Sequence, residues 1–240
     1  MSDFIEGEVL LVNKPLEWTS FDIVNKFRVL LKIHLGIKKI KVGHAGTLDP
    51  LATGLLILCT GKFTKKIDEY QAFEKEYTGT FFLGATTPSS DLETQVDQIF
   101  DISGITEARI IEASKTFIGD ILQKPPIFSA KKVNGERAYE LARKGETLEM
   151  PARLVTISEF EITKIDLPNI EFRIVCSKGT YIRSIARDLG DYLNSGAHLT
   201  KLCRTRIGEF KLIDAITKEE FEKTLVSISA ELNLPENSGQ

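Results

Sequence analysis

The chain is poor in the residues that staple or metallate small proteins. Its 240 residues hold three cysteines, three histidines, two methionines and one tryptophan. Cys59, Cys176 and Cys203 are odd in number and far apart, and two of them sit in strand-like apolar runs. They read as buried free thiols rather than as disulfides or zinc ligands. The histidines are scattered and form no ligand cluster. No stretch approaches the eighteen or more apolar residues of a transmembrane helix. The start, Met1-Ser2-Asp3-Phe4-Ile5-Glu6, is acidic and lacks the basic start and apolar core of a signal peptide. A reducing, cytoplasmic setting is expected. Internal repeats and low-complexity tracts are missing as well.

What is present is a chain of ordinary globular composition, long enough for one large domain and a sizeable core. The net charge is −3, which taken alone argues weakly against a nucleic-acid partner. Its distribution argues the other way. Residues 1–66 carry net +4, 67–123 net −8, 124–210 net +4 and 211–240 net −3. Two basic regions flanking an acidic one have the pattern of a basic face with an acidic back, although solvated faces without a ligand produce the same counts.

Strands and helices alternate without a strict β-α rhythm. Glu8–Asn13 reads as a strand stopped by Lys14-Pro15. A helix follows, capped by Thr19 or Ser20 and continuing through Leu30. Residues 33–42 read as a basic loop, Leu55–Cys59 as a buried strand, and 76–84 as an alternating strand. Further elements are a helix after Thr106, an extended basic loop from Gln123 to Gly135, and a helix through Arg137–Lys144. Strands at 152–165 and 170–177 precede a helix from Tyr181 to Leu193 ended by Asn194 and Gly196. A strand from His198 to Ile207 and a helix at 217–230 close the chain. This mixture favours an α+β fold around a mixed, largely antiparallel sheet with flanking helices.

One string stands out: Gly43-His44-Ala45-Gly46-Thr47-Leu48-Asp49-Pro50-Leu51-Ala52-Thr53-Gly54. Its one acid, Asp49, sits among small residues. Gly43 and Gly46 permit close approaches and unusual backbone angles, and Pro50 restricts both itself and Asp49. A carboxylate is thereby held on a stiff loop against the core, with His44 five residues before it. Asp-Pro is also an ordinary turn or helix start. The whole string, however, closely resembles the catalytic motif of the bacterial tRNA pseudouridine synthase B family (TruB-type). Leu11-Val12-Asn13-Lys14-Pro15 with Thr19-Ser20-Phe21-Asp22, Lys75-Glu76-Tyr77 and Gly179-Thr180-Tyr181-Ile182-Arg183 resemble further family motifs in order, so the likeness spans roughly residues 8 to 210.

That resemblance implies a pseudouridine synthase fold with a catalytic cleft, and an enzyme that isomerises the T-loop uridine at tRNA position 55 without metal or organic cofactor. It implies Asp49 as nucleophile or base, Arg183 as its counter-ion, and Tyr77 stacking on the target base and helping to remove its C5 proton. Tyr181 and Leu202 fall at pocket positions, and His44 at the position that props the space left by a flipped-out base. The carboxylate's path (attack on C1′, attack on C6, or removal of the 2′ proton) is left open. Lys14, Lys39, Lys41, Lys65, Lys131, Lys132, Arg204 and Arg206 are expected as phosphate contacts. Two departures stand out. The loop Thr87–Thr94 matches its family counterpart only at Thr87 and Asp91. The acidic segment 213–240 is too short for the PUA domain of many members. The expected organisation is a catalytic domain over 1–212 and a short extension over 213–240. Expected partners are the tRNA T arm, with no guide RNA, no membrane and a monomeric state. A second reading is a folding chaperone of the T arm that does no chemistry. A glycosidase is the third, but it usually needs two acids, and the motif offers one.

Overall fold

The computed structural model describes residues 3–128, 132–133, 136–137 and 150–232, with backbone alone at 132–133 and 136–137. Its strands are β1 (Val9–Lys14), β2 (Val42–His44), β3 (Ala52–Thr60), β4 (Lys75–Leu83), β5 (Ala85–Thr86), β6 (Gln98–Ile99), β7 (Gly119–Gln123), β8 (Lys132–Val133), β9 (Glu136–Arg137), β10 (Arg153–Asp166), β11 (Asn169–Cys176), β12 (Ala197–Ile207) and β13 (Phe210–Lys211). Its helices are α1 (Ser20–Leu35), α2 (Ile67–Ala72), α3 (Glu107–Lys115), α4 (Ile182–Leu193) and α5 (Lys218–Glu231). The expected α+β class is what forms. The chain divides into two compact units, Met1–Lys75 with Cys203–Gln240, and Glu76–Leu202.

In the first unit β1 runs antiparallel to β3, with Lys14 opposite Gly54 at the end of the ladder. β2 also pairs antiparallel with β3, which places Gly43 opposite Cys59 and His44 opposite Leu58. The C-terminal half of β12 lies beside β3 and carries β13. β3 is apolar from Leu55 to Cys59 because both its faces are covered there. Leu56 and Leu58 join Phe27 of α1 and Phe221 of α5 in one core. Leu55, Ile57 and Cys59 face a second, with Ile207, Tyr70 and Phe73. Residues 55–58 are fully buried, and such side chains contribute about 1.5–3 kcal/mol each. Phe27 stacks on Phe221 at 4.1 Å between centroids, so the C-terminal helix completes this core. α1 starts where Thr19 and Asp22 form a reciprocal capping box and ends at Gly36 in the left-handed region.

In the second unit the N-terminal half of β12, then β4, β11, β10 and β7, follow one another across the sheet. Phe81 of β4 stacks on Phe172 of β11 at 4.0 Å, and Phe160 of β10 meets both edge-on. α4 ends at Asn194, which takes the left-handed conformation. Three details correct the sequence reading. α1 runs to Leu35, past the expected end near Leu30 and through the first residues of the supposed loop. β7, a five-residue strand pairing with β10, occupies 119–123, where no strand was expected. Its exposed Asp120 and Leu122 hide the alternation. β2 forms within the central string, so that string is a strand–loop–strand unit. The helix expected through Arg137–Lys144 lies outside the described residues except at Arg137, whose backbone belongs to β9; the side chains of Lys131 and Lys132 also lie outside them.

Candidate active site

Asp49 stands on the loop between β2 and β3, half-buried, with exposed Thr47 and Pro50 near it. The Asp-Pro pair does make a turn, since the Ala52 N–H donates to the Asp49 carbonyl at 3.0 Å. The turn sits on a loop whose backbone is held at nearly every residue. Gly46 has a φ of 104°, which a side chain rarely tolerates. At Gly54 a Cβ would lie 2.3 Å from the Arg204 carbonyl oxygen, so only glycine fits.

Three buried side chains hold the loop. The Ser20 hydroxyl accepts from the Leu48 N–H at 2.8 Å and donates to the Leu48 carbonyl at 3.2 Å. Both backbone groups of the residue before Asp49 are thus tied to the first residue of α1. Lys14, with no exposed surface, donates from Nζ to the carbonyls of Trp18 at 2.6 Å, Pro15 at 2.9 Å and Pro50 at 3.4 Å. Arg204, 1 % exposed, donates from Nε to Leu55 O at 2.7 Å, from Nη2 to Gly46 O at 3.0 Å and from Nη1 to Thr47 O at 3.5 Å. Lys14 and Arg204 were expected as phosphate contacts. The structure corrects both: they are buried and spend their donors on loop carbonyls, because each lies where a strand passes beneath the Asp49 loop.

Burial lowers the pKa of Lys14 from 10.5 to about 8; the Asp49 charge opposes that fall and the Arg204 charge adds to it. Lys14 and Asp49 are thus electrostatically coupled. His44 is pushed below its usual range by burial first and by Arg204 second, so the imidazole is neutral near pH 7. Its Nδ1 is buried without a hydrogen-bond partner among the described residues, which leaves a polar atom unsatisfied beside the loop. Burial raises the Cys59 thiol to about 11, which makes it inert at neutral pH.

The other expected residues belong to the second unit. Tyr77 lies in β4, 9 % exposed. Tyr181 is the N-cap of α4, half-buried. Its N–H donates to Gln123 Oε1 at 2.8 Å, and Gln123 Nε2 donates back to the Tyr181 carbonyl at 3.2 Å. This reciprocal amide clamp from β7 fixes the entry to α4. Leu202 is half-buried on β12. Arg183, in the first turn of α4 and 4 % exposed, sits 3.4 Å from Asp91 Oδ2 and equally far from the Ser89 carbonyl. Asp91 is itself buried. The loop 87–94 is therefore built to hold Arg183, a role the sequence reading missed. From the sequence Gln123 reads as part of a loop, and Ser20 only as a helix cap.

Of the remaining expected phosphate contacts, Lys39 and Lys41 are exposed. Lys65 is exposed too, and Arg206 is paired with Glu74 at 3.0 Å. Among the described residues no group of three or more His, Cys, Asp or Glu side chains is placed to hold a metal ion. Nor, among them, is any helix long and apolar enough to cross a membrane.

The chain matches two family models: the N-terminal domain of TruB family pseudouridylate synthases over residues 32–182, and the C-terminal domain of tRNA pseudouridylate synthase B over 183–234. It is 60 % identical to the tRNA pseudouridine synthase B of Flavobacterium johnsoniae over 93 % of this chain and 98 % of that one. It is 57 % identical to that of Phocaeicola vulgatus over 93 % and 95 % of the two. Among solved structures it resembles a chain of a Cbf5-Nop10-Gar1 complex, with a TM-score of 0.72 and 27 % identity, covering 98 % of this chain but 58 % of that one.

Proposed function

The chain belongs to the TruB family of pseudouridylate synthases, and from that premise we propose that it converts the T-loop uridine at tRNA position 55 to pseudouridine. In this isomerisation the N1–C1′ bond breaks, the uracil turns within the site, and C5 bonds to C1′. C5 loses its proton and N1 gains one, so the composition of the RNA is unchanged. Asp49 is the nucleophile or base, and Arg183 the cation that keeps it ionised. Tyr77 provides a π face for the base and a hydroxyl for the C5 proton. His44, held neutral, fills the gap left by the flipped uridine. Tyr181 and Leu202 line the base pocket, and the tight backbone at Gly43 and Gly46 lets RNA approach. Lys14 serves this site from beneath the loop.

The observation that carries the reading is the pinned loop. Carbonyls or amides on both sides of Asp49 are held by Ser20, Lys14 and Arg204, while Asp49 itself stays partly exposed. We infer further that residues 1–212 form the catalytic domain, that 213–240 extend it, and that the enzyme acts in the cytoplasm as a monomer without guide RNA. A T-arm chaperone without chemistry is not favoured, because the relatives bear the name of a synthase.

The test is to incubate the protein, with EDTA, with unmodified whole tRNA and with a T-arm stem-loop, and to map pseudouridine chemically. One pseudouridine in the T loop, lost in Asp49→Asn with RNA binding kept, is the expected result. Binding without product on either RNA would contradict the reading.

A further inference from the structure

Between Asp22 and Asp49 the sequence has no acidic residue, yet it carries six Lys or Arg. Five of them, Arg28, Lys32, Lys38, Lys39 and Lys41, line one groove of about 600 Å³ with Val29, Ile37 and Ile40, and no acid lines it. Ordinary helix electrostatics accounts for little of this. Cations near a helix C-terminus offset the macrodipole, but the effect fades within the last turn. Lys32 is in that turn of α1, whereas Lys38, Lys39 and Lys41 lie beyond the Gly36 cap.

The groove is held in shape. Ile37 and Ile40 are half-buried against the core that contains Leu30 and Leu31. Lys38, Lys39 and Lys41, interleaved with them, are exposed. None of these three lysines, nor Lys32, has an ion-pair partner among the described residues. The nearby acid on α5, Glu222, faces Lys26 at 3.6 Å and His34 at 3.7 Å instead. Arg28 Nη2 donates to the Val42 carbonyl at 2.6 Å, which ties the groove wall to the first residue of β2. Lys41 directly precedes β2, and His44 ends it. At about 3.3 Å per strand residue, the groove's edge lies roughly 10 Å along the chain from His44.

We propose that this groove is a docking site for the phosphodiester backbone of the substrate tRNA, seating the strand one or two nucleotides away from the flipped uridine. The inference rests on the synthase reading and specifies how that substrate is gripped. The groove's occupant is a polyanion because unpaired cations line it without an acid. It is the substrate RNA because the groove is joined to the strand bearing His44.

The test compares wild type, the triple variant Lys38→Gln/Lys39→Gln/Lys41→Gln, and the control Lys115→Gln, which removes one exposed cation from α3. Whole unmodified tRNA is the probe, and each protein is first shown to unfold at the wild-type temperature, which separates loss of contact from loss of fold. Binding is measured from low to moderate salt, with turnover in the same buffers. Each phosphate contact adds about 0.7–0.9 to the log–log salt slope. The triple variant is therefore expected to lose about two units of slope and about tenfold or more in kcat/KM, through KM, while Lys115→Gln matches wild type. Wild-type slope and KM in the triple variant would overturn the inference, as would an equal loss in Lys115→Gln. If wild type itself makes no pseudouridine, the synthase reading fails, which is a separate outcome.

Discussion

Two sets of cations in one unit do opposite work. Lys14 and Arg204 are buried and give their donors to backbone carbonyls, among them Pro50, Gly46 and Thr47 of the Asp49 loop. Lys38, Lys39 and Lys41 are exposed and have no acid in their groove. In composition all five are alike, and both sets belong to positively charged stretches of sequence. Burial separates them. A desolvated cation must satisfy its donors within the fold, and here it shapes the loop. A solvated cation keeps its donors for a ligand. The overall charge of −3 carries no information about either role.

Removing a buried cation has the largest expected effect. Arg204→Met would leave the carbonyls of Gly46, Thr47 and Leu55 without their donor. The expected loss is about 3 kcal/mol or more in urea unfolding, with turnover falling alongside. A variant of wild-type stability would remove Arg204 from the loop's support. Ser20→Ala deletes the hydroxyl that holds both backbone groups of Leu48. It should destabilise by about 1–3 kcal/mol and lower kcat more than it raises KM, because what it loosens is the approach to Asp49.

Arg183→Lys tests the second unit. Lysine keeps the charge but not the planar fork. Turnover is expected to fall about tenfold or more, or at least roughly 1.4 kcal/mol in barrier, while tRNA affinity stays within about twofold. Equal turnover would take Arg183 out of the catalytic set.

A last effect concerns pH. The native pKa of Lys14 is about 8, below its ordinary 10.5. Under about pH 8 both folded and unfolded chains carry the proton, and the full burden of burying the charge is present. Between about pH 8 and 10.5 the unfolded chain keeps a proton that the native state has released, so stability rises with pH. Measured at about pH 7.5 and about pH 9.5, wild type should therefore gain stability relative to Lys14→Met. A constant difference would show that Lys14 does not titrate in this window.

Much of the frame was legible in the sequence, for identifiable reasons. The apolar run Leu55–Cys59 announced a strand covered on both faces. Thr19 with Asp22, and Thr106, announced helix starts. Asn194 and Gly196 marked the end of α4. The central string identified the loop and its acid. What was not legible was burial at single polar positions. Lys14 did carry a signal: it alternates in β1 with Leu10 and Val12, so a period of two puts it on their inward face. Its place before a proline made it look like a strand end instead. Arg204 gave no such signal, because its neighbours in β12 mix polar and apolar residues. Asp91 looked like a turn residue in a loop that departs from the family pattern, and only the fold brings it to Arg183. Gln123 was hidden because β7 is short and its apolar residues do not alternate cleanly.

The division between buried cations that build the Asp49 loop and exposed ones proposed to meet RNA is tested by the salt dependence of tRNA binding by folded Lys14→Met, measured beside turnover. A wild-type salt slope together with a reduced kcat is expected, since Lys14 touches the loop and not phosphate. A slope smaller by about one, the signature of a lost phosphate contact, with kcat unchanged would contradict it.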